Sequence, residues 1–95
     1  MIFSVGIKTG ALKDVRNIRE QLPELDRARL DLTLQYIIRV ELREDAHTKG
    51  DECPGDPSFR KLSRGFLEVF YRLRPLEDRY VEVSHFRKVE VNPKP

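Results

Sequence analysis

The chain has a single cysteine, Cys53, among its 95 residues. That excludes an internal disulfide, and with no second cysteine there is no zinc knuckle, so the thiol reads as free in a reducing compartment. Long apolar runs are missing as well. Nothing approaches the ~20 residues that cross a bilayer, and the opening MIFSVGIKTGALK lacks the apolar middle of a signal peptide. A cytoplasmic protein without membrane contact is the expectation.

Strong net charge is also absent. Lys and Arg number 18 against 16 Asp and Glu, a formal +2. The total hides an asymmetry: residues 1–57 carry nine Lys/Arg and eleven Asp/Glu, net −2, whereas residues 58–95 carry nine and five, net +4. A local excess of this size can attract a polyanion, but on charge alone a solvated basic face explains it equally well. With 36% charged and 39% apolar residues the balance is that of a folded chain, and its length fits one small domain spanning residues 1–95.

Ile2–Lys8 alternates and predicts a short strand. Ala11, Val15, Ile18 and Leu22 then follow at helical spacing, with Thr9 as a candidate N-cap. Pro23 either ends that helix or opens the next. Over 24–45 two patterns compete. Leu30 to Leu42 alternates like a strand, yet Leu30, Leu34, Ile37, Ile38 and Leu42 also make a helix face. A strand of that length is unusual, so a helix is preferred; residues 36–43 in isolation read either way.

The segment 45–58, DAHTKGDECPGDPS, reads as an acidic loop, with two prolines, two glycines and four acidic residues. His47, Asp51, Glu52, Cys53 and Asp56 lie in or near it, but their spacing matches no zinc or calcium loop, so no metal is expected there. The tail Val89–Pro95 is expected to fray.

Two strand-like runs, Gly65–Leu73 and Arg79–Arg87, flank a short connection through Pro75 and predict a hairpin. Pairing Leu73 with Arg79, Tyr71 with Val81 and Val69 with Val83 gathers Leu67, Val69, Tyr71, Leu73, Val81 and Val83 on one face, the expected core. Phe66, Glu68, Phe70, Arg72, Tyr80, Glu82, Ser84 and Phe86 share the other, expected to be half open. A slip of one residue would bury Arg72 and Glu68 among valines.

Three stretches carry a resemblance to a known family. SVGIKTGALKDVRNI resembles the opening strand and "ALKDL"-type first helix of the RelE/ParE superfamily of bacterial toxins. GFLEVFYRL resembles its "GYRVFYRV"-type central strand, and VEVSHFRK resembles a last strand of the HigB "HGFRKK" kind. The resemblance implies an α+β fold of order β-α-α-β-β-β, a small antiparallel-rich sheet with a helical hairpin packed on one face. It further implies the toxin of a type II toxin–antitoxin module, bound by a cognate antitoxin.

In the ribonuclease branch the open face cuts mRNA, usually on the ribosome, without a metal or other cofactor. That chemistry needs a base for the 2′-hydroxyl, cations for the phosphate and an acid for the leaving oxygen. Carried over, Arg60 with Lys61 and Arg64, together with Arg72 and Lys88, become candidate RNA- and phosphate-binding residues, and Arg87 a candidate catalytic one. Leu62 occupies what is often a second basic position. Glu68 stands three residues before Tyr71, where the family pattern has an arginine. It is read either as a general base, with His85 as the acid, or as a surface cross-strand partner of Arg72, Arg60 or Arg87. His85 by parity leans toward the core side, which leaves a structural role open as well. The alternatives are a ParE-like toxin that acts on DNA gyrase by protein binding, favoured by the missing arginine, and a family-like domain without toxin activity.

Overall fold

In the computed structural model, which describes residues 2–89, the strands form one five-stranded sheet in the order β1-β5-β4-β3-β2. They are β1 (Ser4–Ile7), β2 (Asp51–Cys53), β3 (Asp56–Arg64), β4 (Leu67–Leu73) and β5 (Tyr80–Lys88). Between β1 and β2 lie α1 (Thr9–Glu20), α2 (Glu24–Tyr36), a π-helical turn Ile37–Glu41 and α3 (Leu42–Asp45). β1 runs parallel to β5; the other pairings are antiparallel. This is the expected α+β architecture with one strand more.

The helices pack on the apolar face of the sheet. Ala11, Ile18 and Leu22 from α1 and its end, Leu30 from α2, and Ile37 and Leu42 beyond it meet Leu62, Leu67, Val69, Tyr71, Val81, Val83 and Phe86 in one core. Residues 24–45 are helical throughout. Leu30, Leu34, Ile38 and Leu42 lie on the side packed against the core while Leu32, Tyr36 and Val40 are exposed, and the alternation is an accident of a leucine-rich run. Pro23 stands at the N-cap of α2. Thr9 does not cap α1; Lys8 holds the cap position and Thr9 is the first helical residue.

The acidic loop is shorter than expected. Asp51–Cys53 add a strand to the edge of β3 after Gly50, whose φ of +67° turns the chain, and β3 begins already at Asp56. Acidic side chains do not prevent pairing here, because an edge strand leaves them in water. Of the tail, only Val89 is among the described residues; its N–H donates to the Phe66 carbonyl (2.6 Å).

The β3–β4 hairpin turns on Gly65-Phe66, with Gly65 at φ +58°, as the first position of a two-residue type II′ loop demands. The β4–β5 register differs from the expected one. Leu73 faces Val81 and Tyr71 faces Val83, because a 3-10 turn at Leu76–Asp78 and Arg79 at φ 47° lengthen the connection. A shift of two residues keeps the predicted faces. A bulge then changes them: past Ser84, Phe70 faces His85 and Val69 faces Phe86. Phe86 is therefore core, at 5% exposure, and His85 is on the open face, each the reverse of its expected side.

Candidate functional site

The face of the sheet away from the helices presents Phe59, Lys61 and Ser63 from β3, Glu68, Phe70 and Arg72 from β4, and His85 and Arg87 from β5, as the strand registers require. Phe70 sits at its centre. The Phe59 ring stacks beside it (centroids 6.3 Å, planes 24° apart) and His85 meets it edge-on (6.5 Å, 70°). The guanidinium of Arg87 lies over Phe70 at 5.5 Å, and that of Arg72 over Phe59 at 5.3 Å. An open cleft of about 490 Å3 is lined by Asp14, Phe59, Phe70, His85, Phe86 and Arg87. A neighbouring hollow shares Phe70 and Arg87 and adds Lys61 and the β2 turn.

Asp14, from α1, ties this end of the sheet together. Its carboxylate accepts from the Phe86 N–H (3.1 Å) and lies 3.8 Å from His85 Nδ1. The exposed imidazole thus has a carboxylate beside one nitrogen, an arrangement that orients the ring.

Glu68 is buried at 6% exposure and held from two sides. Arg87 Nε donates to Oε1 (2.7 Å), a second Arg87 nitrogen pairs with the same oxygen, and Lys61 Nζ lies 3.4 Å from Oε2. Burial pushes the carboxyl upward, but the two cations outweigh it and hold it below the ordinary carboxylate range. A carboxylate so engaged is a poor proton acceptor near neutrality. Arg72 has its own acid: its Nη1 donates to Asp56 (3.0 Å) and to the Ser58 hydroxyl (2.9 Å).

The basic cluster of the sequence does not converge. Period two sends Lys61 to the open face and sends Arg60 and Arg64 to the helix side. Arg60 donates to the Lys49 and Gly50 carbonyls (both 2.8 Å) and is nearly buried. Arg64 is bound to Glu41, a buried acid of the π-helical turn. Both arginines are therefore occupied in holding the fold. Lys88 pairs across from Leu67 and points away from Arg87. The structure brings together Lys61, Glu68, Arg72, His85 and Arg87, and separates Arg60, Arg64 and Lys88 from them.

Phe59 and Asp14 were not singled out from the sequence. Phe59 was within reach of the same alternation that places Lys61. Asp14 carried no signal beyond its place in the ALKDV run.

No protein-family model matches the sequence, and no curated protein matches it. Solved structures do. A chain of the RelBE2 toxin–antitoxin complex from Mycobacterium tuberculosis superposes with a TM-score of 0.72 at 17% identity, over 93% of this chain and 99% of that one. A chain of the chromosomal ParDE system from P. aeruginosa gives 0.64 at 17% identity, over 94% and 98%. The isolated RelE toxin of E. coli gives 0.55 at 20% identity, over 98% and 89%. Identities at this level speak for the fold and not for the chemistry, and the fold of this chain is that of the RelE/ParE toxins.

Proposed function

We propose that this protein is the toxin of a bacterial type II toxin–antitoxin pair, acting in the cytoplasm as an mRNA endoribonuclease and restrained by a cognate antitoxin. The observation that carries the reading is the cleft in which His85, Arg87 and the stacked rings of Phe59 and Phe70 share one open face. Aromatic faces stack unpaired bases, and the planar guanidinium suits a phosphate. His85 is the residue of that face whose side-chain type exchanges a proton near neutral pH, which fits it to move a proton at the 2′-hydroxyl or the leaving oxygen. Lys61 and Arg87 supply charge for the phosphate as negative charge builds on it. Glu68 acts by holding these two cations.

A second reading is a ParE-like toxin that acts on DNA gyrase by protein contact. It is favoured by the neutralisation of Lys61, Arg72 and Arg87 by Glu68 and Asp56, which weakens the pull on a polyanion.

Induced expression in a bacterial host separates the two, with wild type beside His85→Ala and Arg87→Ala and with the 5′ ends of cellular messages mapped. Growth arrest with new message ends, both lost in the folded variants, is the expected result. Arrest without new ends moves the assignment to a protein target, and no arrest from folded protein overturns the toxin reading in that host.

A further inference from the structure

Lys61 and Arg87 are the two cations best placed to grip a phosphate beside the aromatic cleft, and both are already committed to Glu68. The carboxylate lies beneath them, 8% exposed as a side chain, while Lys61 and Arg87 are 40% and 63% exposed above it. Not all of their donors are used: the guanidinium presents five N–H groups and the ammonium three. A phosphate arriving at this face therefore meets cations with donors to spare and a fixed negative charge directly behind them. Glu68 is ionised at neutral pH, since the two cations outweigh its burial.

We infer that Glu68 is a tethered counter-anion which weakens phosphate binding on the open face, setting affinity for single-stranded RNA rather than taking the proton from its 2′-hydroxyl. The inference rests on the reading of this face as an RNA surface. Its physical content is electrostatic: the carboxylate keeps Lys61 and Arg87 oriented against Phe70 but cancels charge that would otherwise be counted by a polyanion. Such an arrangement favours a surface that binds and releases over one that binds and holds.

The test is binding of a short single-stranded oligodeoxynucleotide, which lacks the 2′-hydroxyl, to purified wild type and Glu68→Gln across a salt series. The amide keeps size and one acceptor oxygen while removing the charge. Glu68→Gln is expected to bind about tenfold tighter at low salt, with the slope of log affinity against log salt steeper by about one. Adding Lys61→Gln to Glu68→Gln should take the gain away. A merely structural role for Glu68 would lower affinity or leave the salt slope unchanged, and either result overturns the inference, as does equal binding or none by both proteins.

Should Glu68→Gln fail to fold, wild type suffices. Bound oligonucleotide must raise the Glu68 titration midpoint followed by carboxyl carbon NMR, and an unmoved midpoint overturns the inference. These readouts do not depend on cleavage. Message-end mapping can therefore fail, removing the ribonuclease reading, while the Glu68 effect stands, and the reverse can also occur.

Discussion

Arg64, at the end of β3, donates three hydrogen bonds to the carboxylate of Glu41 at 2.6 to 3.1 Å, tying the π-helical turn to the sheet. Glu41 is 5% exposed and Arg64 is 41% exposed as a side chain. Removing one partner of such a pair strands a buried charge, whereas replacing both with apolar groups need not. Arg64→Ala should therefore lower unfolding stability by about 2–4 kcal/mol, and Glu41→Leu with Arg64→Met should recover most of it. Urea denaturation checks both; a loss under about 0.5 kcal/mol for Arg64→Ala would show the pair to be a solvated contact.

Neighbouring basic residues on β3 should behave in opposite ways. Arg60→Ala removes a donor from the Gly50 carbonyl and leaves the Lys49 carbonyl with the Tyr71 hydroxyl, and should cost about 1–3 kcal/mol in the same measurement. Lys61→Ala, on the open face, should stay within about 1 kcal/mol of wild type while weakening oligonucleotide binding. A combined alanine replacement of Arg60, Lys61 and Arg64 would consequently silence the protein by unfolding it, and carries no information about RNA.

Tyr71 predicts an alkaline weakness. Its hydroxyl, in the core, donates toward the Ala46 and Lys49 carbonyls (2.9 and 2.6 Å). Burial raises its pKa, and Glu41 adds to the rise against the opposing pull of Arg60 and Arg64. A folded pKa above the unfolded one means full stabilisation below the unfolded value of ~10, then loss as pH rises through the folded value. Tyr71→Phe should lower stability at neutral pH by about 1–2 kcal/mol and flatten that alkaline decline. An unchanged slope in Tyr71→Phe would place the decline on other groups.

Acid sensitivity should trace to Asp56 and Glu68. Asp56 is lowered chiefly by the hydrogen bond from the Ser58 hydroxyl, with Arg72 assisting against burial. In Glu68 burial works upward and is outweighed by Arg87 and Lys61. For both, the folded pKa is depressed, so the stabilisation is present above the unfolded carboxylate value and is lost as pH falls through the folded one. Asp56→Asn and Glu68→Gln should each shallow the fall in stability below about pH 4. If neither variant alters it, other carboxylates govern acid unfolding.

Gly50 should tolerate no side chain. Its φ is +67°, and an added Cβ would come within 2.6 Å of the Lys61 carbonyl oxygen, a backbone atom. Gly50→Ala is expected to cost about 2 kcal/mol or more and to loosen β2, seen as faster amide exchange at Lys61. A near-neutral effect would mean that the β2 turn can shift.

Much of the fold could be read from residue spacing. Ala11, Val15, Ile18 and Leu22 announce the buried stripe of α1, and alternation through Leu67, Val69, Tyr71, Val81 and Val83 announces the core face of the sheet, because helix and strand periods depend only on local backbone geometry. Alternation also parts Lys61 from Arg60 and Arg64, although the family resemblance groups the three as phosphate-binding candidates. Which side of β3 the helices would cover was a matter of packing.

The candidate site was decided beyond the reach of spacing. Ser84 is an ordinary residue in the sequence, and only the pairing of β5 with β4, secured by the Asp14 carboxylate on the Phe86 N–H, makes it a bulge. That one extra residue turns Phe86 inward and His85 outward, and so creates the cleft. The charge partners of Glu68, Lys61 and Arg87, likewise stand 7 and 19 positions away along the chain. Local periodicity fixes which residues share a strand face; register, bulges and charge partners are properties of two chain segments meeting, and only the tertiary structure brings them together.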